Sequence, residues 1–390
     1  MTTTLENPLF DRDVVTTRSA QQKNETRLPT DLTIVSTDGH WEVSEDIFYE
    51  NFPAHLKKKA PRVWFDDFWR QGDPKPPVDS QSQVIDMAMR KFIPNALGSG
   101  AWDIDVRNRD LAIEGVHKEI LYPQSLLAFI RLPDHEVQEQ IYWIYNEYMA
   151  RISAIHPGRY YGVGVCSNWW DPTRAWQAVK QIRDLGLKTF MLPTSNVGKN
   201  ADGSPLSYAA PEMDTLWDEI ARAGLPVSFH IGENIGVLGR GGFGASALQS
   251  FCAARKPLGE LIFGGVFDRH PDLRVVFVEF GIAWIPVALQ EAEQLYDHQG
   301  PLLEGLNSLP KRRPSYYWHN NCYATFQNDL LGLKLLDYIG ADRVMWAQDY
   351  PHNEGTFGYS WSSRECVYRA TTLENARKIL GETAMELYHL

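Results

Sequence analysis

No stretch of about 18 or more consecutive apolar residues occurs in the chain, so a membrane-spanning helix is not expected. Cysteine is scarce: Cys166, Cys252, Cys322 and Cys366 stand far apart and form no C-x-x-C pair. Disulfide frameworks and zinc ribbons need closer spacing, so reduced, mostly packed thiols are expected. Clustered positive charge is thin as well. The compact basic runs are KKK at 57–59 and KRR at 311–313, against a formal net charge of −11. Binding a phosphate backbone takes a basic face, which excludes nucleic acid as a partner. The opening MTTTLENPLFDRDVVTTRSAQQKNETRLP lacks the apolar core of a signal peptide, and a cytoplasmic location is expected. No G-x-S-x-G elbow, P-loop or H-E-x-x-H is present, which sets aside serine hydrolases, nucleoside triphosphatases and zincins.

What is present is a chain of 390 residues, 44% of them hydrophobic, enough for a large core. At about 150 residues per domain the length predicts two or three domains, although α/β barrels run longer as one. Residues 1–30 read as a polar N-terminal arm, poor in large apolar side chains. Short β-branched runs then recur: 32–37, 118–123, 160–165, 187–192, 226–230, 274–279, 321–326 and 343–348. Helix-like stretches such as PTRAWQAVKQIRDLG (172–186) and PEMDTLWDEIARAG (211–224) separate them. The first follows Asp171, an expected N-cap, and stops at a glycine. Strands alternating with helices predict parallel βαβ units, and eight such strands predict a closed (β/α)₈ TIM barrel over residues 31–390. The interval from 43 to 117 is too long for one crossover. With its WFDDFWRQGDPKPP tract, residues 44–116 read as an inserted cap or lid.

Catalytic groups in such barrels stand at the C-terminal ends of strands. The stretch STDGHWEV (36–43) sets Asp38, His40 and Glu42 at alternate positions where the first strand ends. The fifth strand ends at His230, the sixth at Glu279, and the eighth runs into Asp349 and then His352. The second, third, fourth and seventh exits carry no acid or histidine at that place. Each residue alone has an ordinary explanation. A lone histidine at a strand end is usually a hydrogen-bonded core residue, and an Asp before Tyr-Pro opens a turn. Glu279 could pair with a buried arginine, and Glu42 could cap the SEDIF segment that follows. Their coincidence at several exits of one barrel asks for a common cause, and imidazole with carboxylate is divalent-metal chemistry.

The order of these groups resembles the amidohydrolase superfamily, in particular its amidohydrolase-related branch. That branch includes aminocarboxymuconate semialdehyde decarboxylase and resorcylate-type decarboxylases. The resemblance spans roughly residues 32–390 and rests on DGHWE, DRHPDLRVVFVEFGIAWIP, WAQDYPHNEG and the closing ENARKILGETAMELY. It implies that Asp38 and His40 occupy the paired positions after the first strand and that His230 is the fifth-strand ligand. It also makes Asp349 the eighth-strand ligand that handles a proton. Two departures stand out: Asp38 replaces a histidine, and Glu279 stands where the branch has a sixth-strand histidine. The fourth strand lacks the Lys or Glu that bridges two metals in hydrolytic dinuclear members.

Carboxylates with two or three imidazoles make a hard, oxygen-rich site suited to Zn, Mn or Fe. Asp38, His40, His230 and Asp349 suffice for one ion, and Glu279, His352 and Glu42 would extend the set to two. The expected activity is metal-dependent hydrolysis or non-oxidative decarboxylation of a small organic acid or ring compound, with Asp349, His352 and Glu279 as the proton-handling candidates. Two alternatives stay open: a dinuclear Fe or Mn/Fe oxygenase, and a non-catalytic barrel subunit of a hetero-oligomer. The partners expected are a small-molecule substrate and further chains in a homo- or hetero-oligomer.

GRGGFG at 239–244 matches a dinucleotide fingerprint by letter, but lies nine residues past His230 and outside a strand-to-helix turn. It reads instead as a mobile loop over the site, from which Arg240 would meet a substrate carboxylate. Trp41, Trp284 and Phe357 neighbour the ligand candidates and are candidate pocket walls. His270 and His319 read as structural, and the remaining histidines lie away from strand exits.

Overall fold

The computed structural model describes residues 29, 31–64, 67–71, 99–124, 126, 132–171, 173–194, 205–233, 239–352 and 354–390. The expected N-terminal arm, apart from residue 29, and positions 65–66 and 72–98 of the expected cap lie outside the described residues.

The first barrel strand comes in two pieces, β1 (Val35–Ser36) and β2 (His40–Trp41). An antiparallel hairpin of β3 (Pro61–Trp64) and β4 (Asp67–Gln71) follows. Then come β5 (Lys118–Pro123), β6 (Tyr160–Gly162), β7 (Gly164–Val165), β8 (Phe190–Leu192) and β9 (Val227–His230). The last three are β10 (Val275–Val278), β11 (Cys322–Phe326) and β12 (Val344–Trp346). Both β1 and β2 pair in parallel with β5, and β5 with β6. Strands β7 to β12 continue in sequence order, all parallel. The sheet closes where Thr37 N–H donates to Trp346 O (3.2 Å) and His40 N–H to Tyr350 O (2.7 Å). Counting β1/β2 and β6/β7 as one strand each, eight parallel staves form the predicted barrel.

Two apolar layers hold it. Inside the barrel, Val35, Ile120, Met191, Val276 and Met345 meet, and Leu387 and Tyr388 of the C-terminal segment close the floor. Outside, Leu216, Phe229, Phe277 and Trp318 belong to the larger layer between sheet and helices. Each fully buried Leu, Val or Phe contributes about 1.5–3 kcal/mol of transfer free energy. Both layers are near-continuously apolar because each strand is covered on both faces.

The predicted helix at 172–186 runs from Ala175 to Asp184. Asp171 accepts from Thr173 N–H (3.0 Å), so it caps the preceding turn and not the helix itself. The 211–224 stretch becomes a short 3₁₀ turn and the helix Asp214–Ala223, which stops at Gly224 with φ 65°. Within 44–116 the described parts are helix Ile47–Asn51, the β3–β4 hairpin and helix Ile104–Glu114. Cys166, Cys322 and Cys366 are buried and Cys252 exposed, all as free thiols. Among the described residues, no helix is long and apolar enough to cross a membrane.

Candidate metal centre

Six of the ligand-type side chains converge at the C-terminal mouth of the barrel. Asp38 lies in the β1/β2 break and His40 opens β2, His230 ends β9, Glu279 follows β10, and Asp349 and His352 follow β12. All are buried, Asp38 and Asp349 completely. They form two overlapping groups, Asp38–His40–His230–Glu279 and His40–Glu279–Asp349–His352, with ligand atoms within 4.8 Å of one another in each. His40 Nε2 lies 3.3 Å from Asp349 Oδ1 and 3.6 Å from Asp38 Oδ1. His230 Nε2 lies 3.4 Å from Asp38 Oδ1 and 3.6 Å from Glu279 Oε2. The rings of His40 and His352 stack at 4.0 Å.

The far side of each imidazole is fixed. His40 Nδ1 donates to Pro123 O (3.2 Å), His230 Nδ1 to Ile231 O (2.7 Å) and His352 Nε2 to Gln124 Oε1 (2.9 Å). Oxygen acceptors at those positions place a proton on the outward nitrogen and leave the inward one a lone pair when the ring is neutral. His230 Nε2 donates to Asp38 Oδ1 when that ring is protonated. The lone pair of a neutral His40 or His230 facing a carboxylate oxygen at 3.3–3.6 Å instead repels it unless a proton or a cation lies between them. Asp38 Oδ2, His40 Nε2, both Asp349 carboxylate oxygens and His352 Nδ1 are buried with no hydrogen-bond partner. His352 Nδ1 and Asp349 Oδ1 are 3.0 Å apart, yet not aligned to bond. Buried polar atoms are normally paired, so a convergent unpaired set fits a cation. The outward bonds to carbonyl and amide oxygens are the usual means of orienting metal-binding histidines.

Charge and backbone strain point the same way. Burial pushes the Glu279 carboxyl well above its ordinary range, and the Asp349, Asp38 and Glu354 carboxylates push it further. Burial opposes ionisation of Asp349 too, but the neighbouring His352 and His40 outweigh it and hold that carboxyl low. Burial lowers His40, reinforced by His352. It also works against charge on His230 and His352, but Asp38 lifts the first, and Asp349 raises the second to about 9. Glu279 and Asp349 sit at φ 68° and 56°, left-handed backbone that non-glycine residues seldom adopt. Such strain persists where the surroundings over-determine it.

Other sequence candidates fall elsewhere. Glu42 Oε1 turns back to accept from Val43 N–H (3.0 Å) and does not join the converging groups. Trp41 is buried in the outer layer, its indole N–H donating to Tyr148 Oη (3.0 Å). Trp284, partly buried, packs edge-on against Phe277 (5.7 Å) and Trp318 (6.2 Å) at the edge of the same layer. The GRGGFG segment is not a continuous loop: 239–241 form a turn with exposed Arg240, and helix Gly242–Ser250 begins inside it. Glycine costs a helix about 1 kcal/mol relative to alanine, and Ala245 and Ala247 carry this one on past Gly242 and Gly244. Residues 234–238 lie outside the described set. Phe357 packs edge-on against Tyr350 at 4.9 Å, beside the Asp349 exit. His270 sits between Asp214 (3.4 Å) and Asp218 (3.1 Å), away from the centre, and His319 is on helix Pro314–Asn321. Gln124, which holds His352, was not visible as a site residue, because an amide after a strand carries no ligand signature.

Comparison with known proteins bears on the fold and the family. A family model described as Amidohydrolase matches residues 125–390. The 2-amino-3-carboxymuconate-6-semialdehyde decarboxylase of Dictyostelium discoideum is 24% identical over 306 residues, covering 75% of this chain and 79% of that protein. The gamma-resorcylate decarboxylase of Rhodococcus jostii (strain RHA1) is 24% identical over 311 residues, covering 73% and 90%. Among solved structures, an amidohydrolase of Mycobacterium avium subsp. paratuberculosis K-10 shares the fold with TM-score 0.70 at 19% identity, over 92% of this chain and 100% of that one. A 5-carboxyvanillate decarboxylase of Novosphingobium aromaticivorans, complexed with manganese and 4-hydroxy-3-methoxy-5-nitrobenzoic acid, has TM-score 0.68 at 17% identity, over 92% and 97%. A barrel whose strand ends gather histidine and carboxylate, matched by the family model over about two-thirds of its length, belongs to the amidohydrolase family.

Proposed function

We propose that this chain is a divalent-metal-dependent, non-oxidative decarboxylase of a small aromatic or conjugated carboxylic acid. The observation that carries the reading is the buried, convergent set of unpaired ligand atoms on Asp38, His40, Asp349 and His352. Asp38, His40, His230 and Asp349 would hold the ion, with Glu279 completing the set, and manganese suits so oxygen-rich a donor group. When bound, such an ion supplies Lewis-acid stabilisation of negative charge on substrate oxygens. The chain's own residues handle the proton. Loss of carbon dioxide breaks the carbon–carboxyl bond and leaves its electron pair on the substrate carbon. That carbon takes a proton from the Asp349–His352 pair, whose atoms stand 3.0 Å apart. The relatives' substrates, an aminocarboxymuconate semialdehyde and gamma-resorcylate, share a carboxylate on a conjugated carbon framework and define the first compounds to assay. The test is carbon dioxide release from hydroxylated benzoates by protein purified without chelator, alongside its metal content. Manganese-dependent release supports the reading; metal-loaded protein inert towards the whole panel opposes it.

A second reading rests on the carboxylate excess. Asp38, Glu279 and Asp349 give two overlapping ligand groups, which provide donors for two ions. A dinuclear iron or manganese–iron oxygenase would then consume dioxygen. Two redox-active metals per chain with substrate-dependent oxygen uptake favour this reading; one manganese and no uptake return the decarboxylase.

A further inference from the structure

Behind the mouth lies an ion pair that takes no part in the proposed chemistry. Arg107, on helix Ile104–Glu114, and Glu119, on β5, are both fully buried. Arg107 Nε donates to Glu119 Oε2 (2.7 Å) and Nη2 to Oε1 (2.8 Å). Its remaining donors go to backbone: Nη1 to His40 O and Gly100 O (both 2.9 Å), and Nη2 to Tyr350 O (3.2 Å). All five guanidinium N–H groups are thereby engaged. The same helix takes Tyr350 a second time, through its hydroxyl and Asp110 Oδ2 (2.5 Å). Tyr350 follows Asp349, and His40 is itself a ligand candidate, so one side chain holds the two exits whose ligand atoms are 3.3 Å apart. Gly39 makes room for it: a Cβ there would stand 2.2 Å from Glu119 Oε1 and 3.0 Å from Arg107 Nη2.

Buried ion pairs seldom add stability over apolar residues of similar size, so stability alone does not account for this one. We infer that Arg107 and Glu119 are a positioning pair that sets the spacing of the first- and eighth-strand exits, and through it the affinity for the divalent ion. This rests on the metal-centre reading above. Lysine, with three donors and no planar fork, cannot reproduce the arrangement.

The decisive variant is Arg107→Met/Glu119→Leu, which removes both charges together and leaves neither unpaired. Manganese affinity, measured by titration of the chelator-stripped protein, is expected to fall by about tenfold or more. The variant is expected to stay folded at lower thermal stability, because His40 O and Gly100 O lose the donor that Arg107 supplied. A folded double variant with a smaller loss overturns the inference. Should that variant not fold, hydrogen exchange of the wild type decides. Coupling is reciprocal, so manganese must slow exchange in residues 104–114, and unchanged exchange there overturns the pair's role. Wild-type protein that binds no divalent ion at all would instead remove the metal-centre reading, and the positioning role with it.

Discussion

Glu279 is the residue at which the barrel sacrifices stability most visibly. Its backbone is left-handed at φ 68°, its carboxyl is buried, and Asp349 and Asp38 repel it. Left-handed backbone at a non-glycine residue costs about 1–3 kcal/mol, and asparagine adopts it more readily than glutamate. In the metal-free protein Glu279→Asn is therefore expected to be more stable than wild type by about 1 kcal/mol. With manganese added, the order should reverse, because the variant has lost a donor. Urea denaturation with and without the metal measures both. A variant less stable in both states would show that Glu279 is ordinary packing. His230 and Glu279 could be read from the chain because each closes a β-branched run, and Asp38, His40, Asp349 and His352 because they follow the first and last of those runs. Glu42 misled because alternation stops where β2 stops, at Trp41, and its carboxylate bends to the next backbone N–H. Arg107 was illegible for another reason. IDVRNRDLAIE scatters its apolar residues without a distinct apolar face, and nothing in it marks which arginine turns inward.

At the level of elements, the barrel separates a floor that carries stability from a mouth that carries chemistry. The floor is built by the C-terminal segment, where Lys378–Glu382 forms a π-helical turn leading into helix Thr383–Leu387. Gly381 lies so close to the start of β1 that a Cβ would stand 2.0 Å from Thr33 O. Backbone cannot yield as a flexible side chain can, so Gly381→Ala should destabilise by about 1–3 kcal/mol through overpacking. Its manganese stoichiometry should remain that of wild type, since Asp38 and His40 lie at the other end of the strand. Loss of metal with loss of stability would mean that floor and mouth are coupled through β1. All eight predicted strands were found, because apolar runs flanked by helices signal buried parallel strands. The breaks within the first and third staves were not foreseen. They depend on how closure aligns neighbours, as in the bonds from Thr37 and His40 to the last strand, and no local pattern encodes that.

For the whole molecule, the question is whether the metal makes the fold or is received by it. Two extensive apolar layers hold the barrel without reference to the mouth, unlike small domains whose fold depends on an ion. Chelator-stripped protein should therefore keep its far-ultraviolet circular dichroism and unfold in one transition. The mouth nonetheless gathers Asp38, Glu279 and Asp349 into a buried space in a chain of net charge −11, and their repulsion is relieved by a divalent ion. Manganese at about a hundred times its Kd adds about 2.7 kcal/mol by mass action. That stabilisation should appear as a rise in Tm of a few degrees, reversed by chelator and absent in His230→Ala. Stripped protein that unfolds outright would place the ion among the determinants of the fold. A Tm indifferent to manganese would leave the convergent carboxylates without a counter-charge, and the mouth would need another explanation than metal chemistry.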